Sequence, residues 1–354
     1  MKRRANLNIA VLVIIYLLLW SVNAWAWESA ELSDKVAFLK SGEIWIADQK
    51  GTAIKQLTET DGKVEDFLFA HNLQYLAYAK IIKYVDEPGL WDEGEAIPQR
   101  SLCSIVIMDL GADKILKEIM PPEDNWLYFV KWIPGNKLLY YGASGFDVWG
   151  FFEYAVDSGS ENELDYHQGS ILLEADFYGN GSLKAYVDDS GLGETYRQDL
   201  HLVDLQKNND RILVSKRSVM DPKISMDKKS IAFVGVEYKE KEETDVLWVC
   251  NIRDKSLKKL YEGPVRAKIG GASELSWSFD GQYIGMFFTP EALVIEVQNP
   301  GDIHKIQGAD FNWLANRKIL FSQGNDAYLY DLTTNQKALF IQDTAKAVFL
   351  RLQN

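Results

Sequence analysis

LSWSFDGQYIGMFF, residues Leu275–Phe288, predicts two short β-strands joined by a tight turn. Trp277 ends the first strand, Asp280-Gly281 makes the turn, and Tyr283 begins the second strand. Asp-Gly between two apolar runs is a strong short-range signal for a β-hairpin, because glycine tolerates the positive φ that such turns need. Taken alone, the stretch indicates a hairpin and no more.

The same pattern recurs along the chain. Residues seven positions apart, like Trp277 and Ile284, flank a polar turn at five other places: Phe69/Leu76, Trp132/Leu139, Phe177/Lys184, Ile224/Ile231 and Trp313/Leu320. In the looser copy at Phe177, the apolar positions are supplied by Leu183 and Ala185. The first members, at 69, 132, 177, 224, 277 and 313, are 63, 45, 47, 53 and 36 residues apart. A period of about 45 residues with several short strands per unit is typical of β-propeller blades.

A second motif recurs once in each repeat unit. After each hairpin an alternating apolar strand ends at or just before a polar residue, namely Asp48, Asp109, Asp157, Asp204, Asn251, Gln298 and Asp331. A polar turn and one more short apolar strand follow. We expect the aspartates to cap these turns by accepting backbone N–H groups, which is a structural role.

Counting these strands predicts seven units. The first unit begins directly with its second strand, at Val36–Leu39, and the chain ends with an unpaired apolar strand, Lys346–Leu350. The simplest account is that this last strand completes the first blade and closes the ring, which removes exposed sheet edges. The predicted fold is an all-β, single β-propeller over residues 27–354, with four-stranded antiparallel blades. Seven blades is the leading count and six the alternative.

These residues also resemble a known family. WSFDGQYIGMFF is similar to the W-S-P-D-G-K-x-I-A-F core of the TolB-like, WD-type propeller repeat, which is also found in dipeptidyl peptidases and prolyl oligopeptidases. Val36–Val64 resembles the neighbouring part of the same repeat, and the resemblance covers residues 34–352. No copy has the full S-P-D-G, although Trp132-Ile133-Pro134-Gly135 comes near it. The resemblance implies the fold and leaves the function open, because such propellers carry many functions.

The N-terminus predicts export. Lys2-Arg3-Arg4 precedes the apolar run Ile9–Trp20, and Ala24-Trp25-Ala26 forms an A-x-A cleavage site. We expect residues 1–26 to be a signal peptide and the mature protein to be periplasmic or secreted. The alternative is an uncleaved membrane anchor formed by residues 9–27, which is just long enough to span a bilayer.

Charge and motifs exclude several function classes. The net charge of −13 disfavours nucleic-acid binding, because an acidic surface repels phosphate backbones. No G-x-S-x-G elbow is present, and no two of His71, His167, His201 and His304 lie within five residues of each other. We expect no catalytic residue, no metal and no cofactor. Cys103 and Cys250 are expected to be buried small apolar residues rather than a disulfide.

The connections between second and third strands are the candidate binding surface. Four of them are long and fall in consecutive blades, at Lys83–Arg100, Gly142–Gly150, Asp188–Asp199 and Glu237–Asp245. They should crowd one face, opposite the short hairpin turns. Their candidate binding residues are Trp91, Asp92, Phe146, Trp149, Tyr196 and Tyr238, with Trp91 and Trp149 the strongest. Exposed aromatics among charges suit a binding surface. The alternative is that these are tolerated insertions whose aromatics pack back onto the blades.

The sequence therefore predicts an exported, monomeric, non-catalytic propeller that binds a protein or peptide on its long-loop face. The membrane would be involved only through the N-terminal anchor. The alternative is an extracytoplasmic enzyme or carbohydrate binder with its site in the central channel, where inward residues of several blades meet.

Overall fold

The computed structural model describes residues 32–86, 99–122, 125–144, 147–178, 181–188, 198–216, 218–239, 242–263, 274–288 and 290–350. These residues form seven four-stranded antiparallel sheets, which are the blades of a β-propeller. The predicted fold and the count of seven are confirmed. The predicted signal peptide and anchor lie outside the described residues. Among the residues that the model describes, no helix is long and apolar enough to cross a membrane.

The strands follow one another around the ring. Blade 1 contains β1 Lys35–Lys40, β2 Glu43–Ala47 and β3 Ala53–Gln56; blade 2 contains β4 Val64–Phe69, β5 Tyr75–Asp86, β6 Gln99–Asp109 and β7 Lys114–Ile119; blade 3 contains β8 Trp126–Ile133, β9 Lys137–Ser144, β10 Asp147–Ala155 and β11 Ser160–Leu164. Helix α1, Tyr166–Glu174, follows blade 3.

The second half repeats the arrangement. Blade 4 contains β12 Asp176–Phe177, β13 Leu183–Asp188, β14 Gln198–Asp204 and β15 Asn209–Lys216; blade 5 contains β16 Val219–Ile224, β17 Ser230–Lys239, β18 Glu242–Asn251 and β19 Leu257–Glu262; blade 6 contains β20 Glu274–Trp277, β21 Tyr283–Phe288, β22 Glu291–Glu296 and β23 Ile303–Gln307; blade 7 contains β24 Ala309–Ala315, β25 Lys318–Gln323, β26 Asp326–Asp331 and β27 Gln336–Ile341. The last strand, β28 Lys346–Leu350, returns to blade 1.

The ring closes as the sequence predicts. Strand β28 pairs antiparallel with β1, with Val36 opposite Phe349, so blade 1 has the order β28-β1-β2-β3. The Thr344 hydroxyl adds a hydrogen bond to the carbonyl of Leu39, at 2.8 Å. The two chain ends are therefore held in one sheet, which leaves β1 without an exposed edge.

The core lies between neighbouring blades. Buried apolar side chains of adjacent sheets pack together at six of the seven junctions in the described part of the chain. At the remaining junction, between blades 3 and 4, helix α1 contacts β10 and β13. Both faces of most sheets are thus covered, which explains the long apolar runs of the inner strands.

The tryptophans at the ends of inner strands join one blade to the next. Each donates its indole N–H to a backbone carbonyl of the preceding blade: Trp132 to Leu68 at 3.1 Å, Trp277 to Lys223 at 2.9 Å and Trp313 to Ser276 at 3.4 Å. Because a buried indole N–H needs an acceptor, this contact sets the spacing between the two strands. The motif that reveals the repeat in the sequence is also what joins the blades.

The predicted turn caps are mostly confirmed. Backbone N–H groups of the following turn donate to the side chains of Asp48, Asp109, Asp204, Asn251 and Asp331, at 2.8 to 3.4 Å. Asp157 instead accepts the side-chain amide of Asn136 from the neighbouring hairpin, at 3.2 and 3.3 Å. Cys103 and Cys250 are buried free cysteines on β6 and β18, as expected.

The prediction of long loops is wrong for much of their length. Residues 142–144, 147–150, 237–239 and 242–245 belong to strands, and β5 and β6 run on to Asp86 and from Gln99. These strands extend beyond the blade as two-stranded ribbons. On β5 the successive residues Ile82, Lys83 and Tyr84 are all exposed, so no apolar alternation marks this extension. The charged sequence EYKEKEETD likewise lacks the alternation, although its two arms pair as β17 and β18.

Candidate functional site in the central channel

The first strands of the blades surround a channel with two different ends. We call the face where these inner strands begin the upper face; the connections between second and third strands lie on it. The lower face carries the hairpin turns that join first and second strands. A cavity lies at each end, of about 590 Å³ on the upper side and about 310 Å³ on the lower side.

The upper cavity is lined by charge of mostly one sign. Three carboxylates, Glu65, Asp66 and Asp310, share it with one ammonium group, that of Lys346. Lys346 forms a salt bridge with Asp66 and also donates to the carbonyl of Phe67, at 3.3 Å. The aromatic residues Trp126, Tyr128 and Phe129 complete the lining. With every group ionised, the cavity has two more negative than positive charges.

Asp310 is the least favourably placed of the three acids. Its φ of +49° belongs to the left-handed region, and the pairing of β24 with β25 is irregular between Ala309 and Asn312. The side chain is open to the cavity but enclosed by surrounding blades, and this burial raises the pKa of its carboxyl although Lys346 opposes the shift. Folding therefore places an acid where its charged form is disfavoured.

The carboxylate of Glu65 accepts a hydrogen bond from a buried thiol. The Sγ of Cys103 donates a hydrogen bond to Glu65 Oε2, at 2.9 Å. Burial, followed by that hydrogen bond and the charge of Glu65, raises the pKa of the thiol far above its usual range. Cys103 therefore stays protonated and has the character of a donor, not of a nucleophile.

The lower cavity has a different lining. Six aromatic residues and Met226 make up half of its lining, and its polar members include His71, Asp176, Lys223 and Asn312. Two aspartates of this region stabilise the ring: Asp176 accepts the N–H of Ile224 at 2.8 Å, and Asp221 accepts the N–H of Leu275 at 2.7 Å, each from the next blade. The carboxylates here already have a structural partner.

His71 is neutral at physiological pH. Burial is the largest effect and lowers the pKa of its imidazole, while the carbonyl of Trp132 and the charge of Asp176 oppose the shift. Nε2 lies 3.2 Å from the Trp132 carbonyl oxygen, so Nε2 carries the proton and donates it. This tautomer leaves the lone pair of Nδ1 as an acceptor.

The other histidines do not converge on the axis. His201 pairs with Asp210 at 2.9 Å on blade 4, His304 lies 3.9 Å from Asp302 on blade 6, and His167 is on α1. No group of three or more His, Cys, Asp or Glu side chains in the described part of the chain could hold a metal ion.

The residues predicted for the binding surface are not tested. Trp91, Asp92, Phe146 and Tyr196 lie outside the described residues, and of Trp149 and Tyr238 only the backbone, within β10 and β17, is described. Beside them on the β5 ribbon, Tyr84 and Ile82 are exposed, with 62% and 41% of their surfaces accessible.

Sequence reasoning missed the channel residues. Glu65, Asp66, Asp310 and Lys346 are distant in the chain and meet only when the ring closes. One signal in the sequence could have revealed them, namely a polar residue inside an otherwise apolar first strand. The first strand is the inner edge of a blade and faces the channel, so a polar residue there can line it.

Seven four-stranded sheets arranged around a central channel define the class of this protein as a seven-bladed β-propeller. The sequence matches no family model and no curated protein. An uncharacterized protein from Listeria monocytogenes has a similar structure, with a TM-score of 0.51 at 9% identity over 89% of this chain and 94% of that chain.

TolB propellers are also among the solved structures that match this chain. TolB from Acinetobacter baumannii has a TM-score of 0.41 at 10% identity, over 90% of this chain and 67% of that chain. An oligogalacturonate lyase in complex with manganese has a TM-score of 0.46 at 13% identity, over 84% and 81%. At these identities the likeness to TolB propellers concerns the fold alone.

Proposed function

We propose that this chain is an exported, non-catalytic propeller that binds a segment of a protein or peptide on its upper face. The observation that supports this most is an asymmetry of strand length. The two middle strands have 12 and 11 residues in blade 2 and 10 each in blade 5, against six each in blades 6 and 7. The long strands of blade 2, which border the upper cavity, thus form a raised sector of the upper face. Blade 5 projects separately, because the middle strands of blade 4 between them have only six and seven residues.

The raised sector offers what a binding surface requires. Tyr84 and Ile82 project from the β5 ribbon, and Trp91 and Asp92 belong to the connection that follows this strand in the sequence. Aromatic side chains supply contact area at low entropic cost, and a charged rim steers the partner. A rigid ribbon also loses less entropy on binding than a flexible loop does.

The chemistry of the upper cavity indicates the partner's charge. Its carboxylates outnumber its single ammonium group, and Trp126 and Phe129 provide aromatic surface. A guanidinium or ammonium group is attracted both by carboxylates and by the face of an aromatic ring. We therefore expect the bound segment to insert a basic side chain.

Photo-crosslinking in intact cells tests this proposal. A photoreactive phenylalanine analogue in place of Tyr84, which is 62% exposed, should give a discrete adduct. One in place of Leu339, which is also exposed, at 49%, on the outer strand β27, should not. Trp91→Ala and Trp149→Ala should reduce the adduct. Equal crosslinking at both positions, or an adduct unaffected by the tryptophan changes, would contradict the proposal.

Export is tested separately. The proposal expects the native protein outside the cytoplasm with Trp27 as its first residue. A chain that retains residues 1–26 and sediments with membranes would support the anchor alternative, and a cytoplasmic location would exclude both.

A further inference from the structure

Part of the lining of the lower cavity comes from a position at which this chain differs from the W-S-P-D-G repeat. In the W-S-P-D-G repeat a proline precedes the Asp-Gly of the turn; in this chain His71, Met226 and Phe279 occupy that position in blades 2, 5 and 6. All three line the lower cavity. A proline ring folds back onto its own backbone, whereas these longer side chains reach into the channel mouth.

The rim is aromatic and held in place. The rings of Phe279 and Phe349 are 6.1 Å apart between centroids, at an angle of 45°. Across the cavity, the hydroxyl of Tyr178 donates to the carbonyl of Met226, at 3.1 Å. Trp277, almost fully buried, is fixed by its bond to Lys223. A preformed wall of this kind costs little to organise on binding.

The lining is electrically balanced. Asp176 and Lys223 contribute one charge of each sign, and both are engaged: Asp176 with the N–H of Ile224 and Lys223 with Asp221, at 3.3 Å. His71 donates Nε2–H to the Trp132 carbonyl, which leaves Nδ1 without a proton and able to accept. Such a site has nothing to compensate the desolvation of a charged ligand.

We propose that the lower cavity binds a small uncharged ligand that has a flat aromatic ring and one N–H or O–H group. The ring packs against Phe279, Phe349 and Met226, and the donor meets Nδ1 of His71. A volume of about 310 Å³ suits one ring or two fused rings. The site lies at the opposite end of the channel from the proposed partner surface, so the two proposals stand or fall separately.

Indole is the probe, because it is flat and neutral and has a single donor. Equilibrium dialysis or ligand-observed NMR should show saturable binding at one site. Phe279→Ala should weaken it by about tenfold, the effect of losing one aromatic contact. Tyr84→Ala, on the upper face, is the control and should leave indole binding unchanged.

Met226→Pro separates binding from folding. Met226 is the second residue of a turn closed by the Lys228 N–H and the Ser225 carbonyl, at 2.9 Å, and proline is favoured at that position. The variant should have the circular dichroism spectrum and the unfolding temperature of the wild type. Its affinity for indole should nevertheless be several-fold lower.

N-methylindole tests the donor. It should bind the wild type more weakly than indole does, and the difference should vanish in His71→Ala. Indole association that does not saturate, or that is the same in Phe279→Ala and Met226→Pro as in the wild type, would overturn the proposal.

Discussion

Asp280 shows how one side chain organises a blade turn. It accepts the Ser278 hydroxyl at 2.8 Å and the N–H of Gln282 at 3.0 Å, while Gly281 takes a φ of +68°. Blade 5 repeats the arrangement with Asp227, but Lys228 stands in the glycine's place with a φ of +58°. The turn tolerates a side chain there, at the conformational cost of the left-handed region.

Gly281→Ala should therefore destabilise the protein. No atom lies within 4 Å of the position that the new Cβ would take, so only the backbone conformation opposes it. We expect a loss of about 1 kcal/mol in the free energy of unfolding by urea denaturation.

Gly301→Ala is the matched control. Its φ lies outside the left-handed region, and the nearest atom to a new Cβ is 3.9 Å away. We expect no destabilisation there. Equal losses in both variants would show that the φ of Gly281 is not the cause.

Asp310 supports a prediction about pH. Burial raises the pKa of its carboxyl above the ordinary 3.8, so the folded state holds this proton more tightly than the unfolded state does. The wild type then loses stability as pH rises from about 3.8 through the folded-state pKa. Asp310→Asn, which tolerates the same backbone, should raise the free energy of unfolding at pH 7 and match the wild type at pH 3.

The control for Asp310→Asn is Asp343→Asn. Asp343 is exposed and also has a left-handed φ, of +56°. We expect little change at either pH, because an exposed substitution seldom matters. If Asp310→Asn proved less stable than the wild type at pH 7, the attraction of the Asp310 carboxylate to the charge of Lys346 would outweigh its burial.

At the scale of elements, helix α1 is the part that the sequence did not reveal. It has nine residues, is capped by Asp165 through the N–H of Gln168, and buries only Gly169. A helix with a single buried position has no apolar stripe, so no 3.6-residue period marks it. The extension of β5 is concealed for a similar reason, because its successive residues Ile82, Lys83 and Tyr84 are all exposed.

Gly169→Ala reverses the usual rule for helices. Alanine in a helix interior is normally about 1 kcal/mol better than glycine. Here the new Cβ would lie 2.2 Å from the buried ring of Phe151, so we expect a loss of about 1–3 kcal/mol in the free energy of unfolding. Gln168→Ala, at an exposed neighbouring position, should be neutral. A stabilised Gly169→Ala protein would show that α1 can move away from blade 3.

For the whole molecule, ring closure is the property to test. Removing residues 346–354 deletes β28, which buries Ala347 and Leu350 and covers the edge of β1. Each buried apolar side chain contributes roughly 1.5–3 kcal/mol, and an open edge invites aggregation. We expect a truncated protein that unfolds at a clearly lower temperature or aggregates.

Removal of residues 351–354 alone is the control for that truncation. These residues follow β28, so the ring stays closed and the unfolding temperature should stay near that of the wild type. A full truncation as stable as this control would mean that β28 is dispensable.

The repeat pattern was enough to determine the propeller, its seven blades and its closure by β28, because each depends on hairpin turns and apolar alternation that are local in the chain. It also showed that Trp277 and Asp280 are structural. The two cavities were decided by tertiary structure alone. Glu65, Asp310 and Lys346 come from three blades, as do His71, Met226 and Phe279, and only a closed ring brings their side chains to one axis.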